Sequence, residues 1–211
     1  MMSATESCPP GRPVLVNQVR NARDLGGLTA SSGVTQCGVI FRSAAPTSLD
    51  AAGCAELTTL GISTIIDLRE ASEWMSFPNG VCPGVTVVHA PLPIPYSVSA
   101  ADYLADLHSD ASMKLVFETM AAAPGGVLFH CTYGRDRSGV VAALLLRALG
   151  VSRADVMADY SRTTANGLGG TPPSLEAVLD ELDRTGGARS HLGRIGVSDE
   201  SWNALATGFV R

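Results

Sequence analysis

The chain has 211 residues, of which 45% are hydrophobic and 17% charged, a balance that supports a buried core and excludes a disordered polymer. Its formal net charge is −5, with Lys114 the only lysine among 15 basic residues, so there is no basic footprint for nucleic acid and any anion site must be local. The longest aliphatic run, residues 140–146, is too short to cross a bilayer.

Residues 1–13 contain three prolines and no basic segment followed by an apolar one. They read as a disordered tail without a signal peptide, with residues 14–211 as one domain. Residues 14–19 suit a first extended segment, and 21–27, ending in Gly26-Gly27, a turn. Val39-Ile40-Phe41 is a strand candidate. Thr47 with Asp50 resembles a capping box that opens a helix closed by Gly61. The β-branched run 62–68 suits a buried parallel strand, and residues 85–89 a second. Pro91, Pro93 and Pro95 make the next stretch an extended connection. A helix over 100–107 precedes one whose Met113, Val116, Phe117 and Met120 share a face, ended by Pro124 and Gly125. Residues 138–149 are apolar on nearly every side and predict a central buried helix. Ser152 with Asp155 opens another, through Tyr160, and the glycine-rich stretch 166–170 is a connection. A stripe of Leu175, Val178, Leu179 and Leu182 predicts a further helix, and Ser198 opens a last one with Trp202, Leu205 and Phe209 inward. Strands alternating with helices predict an α/β fold with a mostly parallel sheet.

Between the apolar run 127–129 and the buried helix lies His130-Cys131-Thr132-Tyr133-Gly134-Arg135-Asp136-Arg137-Ser138. A strand that enters a glycine-containing loop and then a helix N-terminus turns backbone amides toward an anion. A cysteine in such a loop is favoured as its thiolate, and an arginine offers a planar fork to phosphate oxygens. The loop thus predicts cleavage of phosphate esters. The five cysteines are odd in number and widely spaced, with no C-x-x-C pair or zinc spacing. Cys8, Cys37, Cys54 and Cys82 read as small buried hydrophobes in a reducing compartment, placing the protein in the cytoplasm, with export by a route lacking a signal peptide left open.

Cys131 and Arg137 match the C-x5-R signature, and His130-Cys131-x-x-Gly134-Arg135-Asp136-Arg137-Ser138-Gly139 resembles the loop of the atypical bacterial branch of cysteine-dependent protein-tyrosine phosphatases. Asn21-x-Arg23-Asp24-Leu25-Gly26-Gly27, residues 38–43, Ile66-Asp67-Leu68-Arg69 and residues 158–162 are similar to landmarks of that branch, in the same order. The family's usual loop lysine is Arg135 here. The resemblance implies a protein-tyrosine-phosphatase-like α/β fold with strand, phosphate loop and buried helix at its centre. It also implies phosphate-monoester hydrolysis through a cysteinyl phosphate, with no metal or other cofactor.

Cys131 is then the nucleophile and Arg137 the phosphate ligand, with the amides of Thr132, Tyr133, Gly134, Arg135, Asp136 and Arg137 completing the cradle. Asp136 is the first candidate for general acid and Asp67 the second, with a salt bridge to Arg69 as the alternative for Asp67. Ser138 suits a hydrogen bond to the cysteine sulfur, a helix cap, or both. His130 suits loop orientation or a satisfied strand end, and Arg135 a second phosphate or an acidic neighbour. Structural ion pairs are the safer reading of Arg23, Arg42 and Arg69. Phosphoprotein, phosphoinositide and small phosphorylated metabolites stay open as substrates, as does a noncatalytic phosphate-binding module; the sequence leaves the oligomeric state open.

Overall fold

The computed structural model describes residues 8–93, 99–165 and 171–211. In chain order the elements are β1 (Arg23–Asp24), β2 (Thr29–Ala30), β3 (Gly33–Val34), β4 (Ile40–Ala44), α1 (Ala51–Thr59), β5 (Ile62–Asp67), α2 (Ala71–Ser76) and β6 (Thr86–His89). There follow α3 (Ala100–Leu107), α4 (Asp110–Ala122), β7 (Gly126–Cys131), α5 (Arg137–Ala148), α6 (Arg153–Ala165), α7 (Pro172–Arg184), α8 (Ala188–Arg194) and α9 (Asp199–Phe209).

The main sheet runs β1-β4-β7-β5-β6. Its inner pairings are parallel and only β1 is antiparallel, at one edge. β7 is buried along its whole length, and its side chains divide by the two-residue strand period. Val127, Phe129 and Cys131 face the larger core, whereas Leu128 joins Phe41, Leu57, Ile62 and Ile65 in the smaller one beside α1. α5 lies on the larger side, with Val140 to Leu146 all at most 1% exposed. Burying each leucine of that run contributes about 1.5–3 kcal/mol, so the helix that begins at the loop is anchored at the centre of the molecule. The loop is held between two immobile elements.

Several sequence expectations are corrected. The cap of α1 is Asp50, whose Oδ1 accepts from the Gly53 amide at 2.9 Å, and not Thr47. α2 was not anticipated because none of its residues is buried and it has no apolar stripe. The short α8 also escaped the pattern. Residues 8–13, expected as part of a disordered tail, are tied to the body: Pro13 bridges Arg23, and Arg12 pairs with Asp24 at 3.2 Å. Part of the proline-rich connection, from residue 94, and all of the stretch 166–170 lie outside the described residues. The largest correction concerns the cysteines. Cys8 pairs with Cys37 and Cys54 with Cys82, leaving Cys131 as the free thiol among the described residues. Pairing depends on fold-level proximity across 28 or 29 residues, which spacing alone cannot reveal. Disulfides persist in oxidising compartments, so the ground for expecting a reducing one is removed. No helix among the described residues is long and apolar enough to cross a membrane.

Candidate active site

The loop from Cys131 to Ser138 joins the end of β7 to the first turn of α5. Its shape is set from behind. Asn21 Nδ2 donates to the carbonyls of Tyr133 (3.1 Å) and Gly134 (2.9 Å), and Arg42 Nη2 donates to those of Gly134 (3.1 Å) and Arg135 (3.0 Å). A trans peptide places its N–H opposite its C=O. Holding these carbonyls outward therefore directs the amides of Gly134, Arg135 and Asp136 toward the inside of the loop, the arrangement an anion needs. Gly134 has φ 65°, and a Cβ there would lie 2.4 Å from the Ser43 carbonyl. Only glycine satisfies both the dihedral and the close approach.

The supporting cations are themselves fixed. Arg23 and Arg42 each meet Asp159 at 2.7 Å, all three side chains being at most 4% exposed. Arg23 also donates to Asn21 Oδ1 at 2.7 Å, which orients the amide that holds the loop. Burial, with the charge of Arg23 second, pulls Arg42 down to about 10, still cationic at neutral pH. The sequence's safer reading of Arg23 and Arg42 as ion-paired is what the geometry shows, with the added duty of shaping the loop.

Cys131 is 2% exposed, and its sulfur lies 3.7 Å from Ser138 Oγ. Arg42 Nη2 donates to the same Oγ at 3.2 Å, which leaves the serine hydrogen free to point at an ionised sulfur. Arg137, 1% exposed, is gripped by Glu73: Nη1 donates to Oε2 at 2.6 Å and Nη2 to Oε1 at 2.9 Å. Thr132 Oγ1 donates to Glu73 as well. Burial works against the charge of Arg137, but the bonds to Glu73 and the nearby Cys131 outweigh it and push its pKa up. Glu73 was not found from the sequence. The only signal was its place three residues after Glu70, where the pair forms a capping box, and that says nothing about the loop.

The two acid candidates have different surroundings. Asp67 is fully buried and accepts from Arg69 Nε (2.9 Å), Arg69 Nη2 (2.7 Å), the Arg69 amide (3.0 Å) and Asn79 Nδ2 (3.0 Å). Burial alone would raise its pKa, but Arg69 and the adjacent His130 bring it down. It is held as a carboxylate by four donors, the arrangement of a structural ion pair rather than of a proton donor. Asp136 immediately precedes α5 without a side-chain capping bond, is 6% exposed, and receives Arg135 Nε on both oxygens at 3.0 and 2.9 Å and the hydroxyl of Tyr103 on Oδ1. His130 is fully buried with Nε2 3.8 Å from Asp67 Oδ1, and burial pushes its pKa down to about 4. Arg135 also lies over the Tyr133 ring at 5.7 Å.

Beside the loop opens a cleft of about 610 Å³. Its lining includes Thr132 and Tyr133 of the loop together with Arg20, Ala45, Glu73 and Phe77. Two of these, Tyr133 and Phe77, are exposed aromatic rings, at 37% and 68%. As for metals, the one candidate grouping among the described residues is Cys8, Asp24 and Cys37. There both sulfurs are consumed by the disulfide, and Asp24 is occupied by Arg12 and the amides of Gly26 and Gly38.

A free cysteine and an arginine stand on one strand-to-helix loop whose carbonyls are turned outward. The chain belongs to the tyrosine phosphatase family, which matches residues 14–210. It is 33% identical over 165 residues to a Cupriavidus necator protein classed as a tyrosine-protein phosphatase, covering 67% of this chain and 59% of that one. It is 29% identical over 187 residues to the triple specificity protein phosphatase PtpB of Mycobacterium tuberculosis, covering 69% and 66%. The chain thus spans less than two thirds of the length of either relative. The crystal structure of a cysteine-to-serine form of Pseudomonas aeruginosa TpbA in complex with phosphotyrosine shares the fold, with a TM-score of 0.51 at 19% identity over 78% of this chain and 90% of that one.

Proposed function

We propose that this protein hydrolyses phosphotyrosine in proteins through a cysteinyl-phosphate intermediate. The observation that carries the reading is that one loop brings together Cys131, Arg137 and the inward amides, with Glu73 gripping the arginine and Asn21 and Arg42 holding the carbonyls outward. The Cys131 thiolate attacks phosphorus, an S–P bond forms, and the P–O bond to the phenol breaks while Asp136 passes its proton to the departing oxygen. Water then attacks phosphorus, Asp136 takes its proton, and the S–P bond breaks, with the Ser138 hydroxyl donating to the leaving sulfur. Arg137 and the loop amides hold the equatorial oxygens throughout.

Asp136 is the better acid because Asp67 is fully buried and locked to Arg69 and Asn79, whereas Asp136 stands on the loop itself, with the side chain of its partner Arg135 20% exposed. The cleft rimmed by Tyr133 and Phe77 suits an aromatic ester with chain on either side, and the phosphotyrosine bound by TpbA agrees with that choice. The disulfides favour work in an oxidising compartment.

The test is phosphate release from phosphotyrosyl peptides, phosphoinositides and sugar phosphates, with Cys131→Ser as control. Phosphopeptide turnover that the variant loses completely is expected, together with a labelled phosphoenzyme trapped in acid. Undiminished turnover by Cys131→Ser refutes the covalent route, and preference for inositol or sugar phosphates refutes the substrate.

A further inference from the structure

The hydrolysis just described makes no use of a buried pair of phenols that ends on its acid. Tyr103, on α3, and Tyr160, on α6, are 0% and 1% exposed. The Tyr103 hydroxyl donates to Asp136 Oδ1, lies 2.5 Å from the Tyr160 hydroxyl and accepts from Thr171 Oγ1 at 3.0 Å. At the far end the Thr171 backbone N–H donates to the Tyr160 oxygen at 3.1 Å. An amide N–H only donates, and a phenol has one hydrogen, which Tyr103 gives to Asp136. The ends therefore set the polarity of the chain, from Thr171 through Tyr160 and Tyr103 to Asp136. Hydrogen bonds that run in one direction polarise and strengthen one another in a low-dielectric interior.

The two rings meet edge to face, with centroids 6.4 Å apart, which fixes both hydroxyls by packing as well as by hydrogen bonding. Gly139, in the first turn of α5, lets this pair approach: a Cβ there would stand 3.0 Å from the Tyr160 ring. Burial, and then the charge of Asp136, push Tyr103 far above the usual phenol range, so it keeps its proton and gives it to Asp136 in a hydrogen bond while accepting from Thr171. The charged and titratable side chains recorded against Asp136 are Arg135 from the loop and Tyr103 from α3, with Tyr160 from α6 behind it.

Taking Asp136 as the general acid, we propose that Tyr103, backed by Tyr160, is a positioning residue that pins Oδ1 and so orients the carboxyl for proton delivery to the leaving oxygen. A helix-terminal aspartate without such a pin would turn about its side-chain torsions, and its proton would reach the ester oxygen in only a fraction of orientations. The link also joins the acid to the helices behind the loop, where Thr171 immediately precedes α7.

The experiment compares Tyr103→Phe, Tyr160→Phe and Asp136→Asn, alone and with Asp136→Asn added to each tyrosine variant. Substrates are phenyl phosphate, whose leaving group needs a proton, and p-nitrophenyl phosphate, whose leaving group needs it far less. Tyr103→Phe should lower the kcat ratio of phenyl to nitrophenyl substrate about tenfold, a part of the roughly 10²- to 10⁴-fold worth of a general acid. Tyr160→Phe should act in the same sense but less. In the Asp136→Asn background neither change should lower the ratio further, because the lost effect runs through that carboxyl. A tyrosine variant that leaves the ratio in place while Asp136→Asn lowers it would overturn this inference and spare the acid. An Asp136→Asn protein with an unaltered ratio would overturn the acid assignment and this inference together.

Discussion

Glu73 offers the sharpest test of how the site is held. It stands on a six-residue helix with no buried residue, yet it accepts from both terminal nitrogens of Arg137, from the Thr132 hydroxyl and from the Glu70 amide. Burial would raise its pKa, but the bonds from Arg137 and Thr132 lower it, so it carries a full charge against the guanidinium. Replacing it by alanine leaves an arginine whose side chain is 2% exposed without its carboxylate. Breaking a buried pair by removing one partner costs about 3–5 kcal/mol, and a hydrogen bond to a charged group contributes about 1.5–3 kcal/mol. The rim position of Glu73, with its side chain 12% exposed, lets water replace part of the loss, so about 2–3 kcal/mol of stability should disappear. A guanidinium freed to rotate would meet the phosphate in the wrong plane. A penalty of about 1.4–2.8 kcal/mol on transition-state binding corresponds to a fall in kcat/KM of about 10- to 100-fold. Steady-state kinetics on p-nitrophenyl phosphate, competitive inhibition by inorganic phosphate and urea unfolding read the three effects. Glu73→Gln should lie between wild type and alanine. A Glu73→Ala enzyme with unchanged kcat/KM and unchanged phosphate inhibition would refute the claim that this carboxylate orients Arg137.

Two further outcomes follow from burial and cross-linking. His130 is pushed down to about 4 by burial, against about 6.5 in an unfolded chain. Between those values the unfolded state binds a proton that the folded state does not, so stability is complete above pH 6.5 and is lost as pH falls toward 4, by about 3 kcal/mol in all. Denaturant unfolding from pH 7 to 4.5 should show that slope, and His130→Asn should flatten it; an equal slope in the variant would assign the loss to other groups. The disulfides close loops of 29 and 28 residues in sequence separation, each worth about 3–4 kcal/mol by chain-entropy arithmetic. Reductant should therefore lower Tm, whereas an unmoved Tm would show that neither cross-link constrains the unfolded chain.

The features legible in the sequence are those encoded by neighbours along the chain. The apolar run after Ser138 could only be a buried helix, the β-branched run before Asp67 only an inner strand, and a loop holding Cys131 and Arg137 between strand and helix already spelled an anion cradle. Ser198 capped α9 as its spacing implied. Such patterns repeat at 2.0 or 3.6 residues, so a local window contains them. Tertiary structure alone decided the rest. Glu73 lies 64 residues from the arginine it holds, Asn21 is 113 residues from the Gly134 carbonyl, and Arg23 meets Asp159 across 136. The Asp136–Tyr103 bond spans 33 residues, and the cysteine pairs nearly as many. No periodicity links residues at those separations, because what joins them is the packing of helices and loops against a sheet whose order, β1-β4-β7-β5-β6, departs from chain order. The sequence could name the candidate groups of the loop; only the folded chain could say what holds them in place.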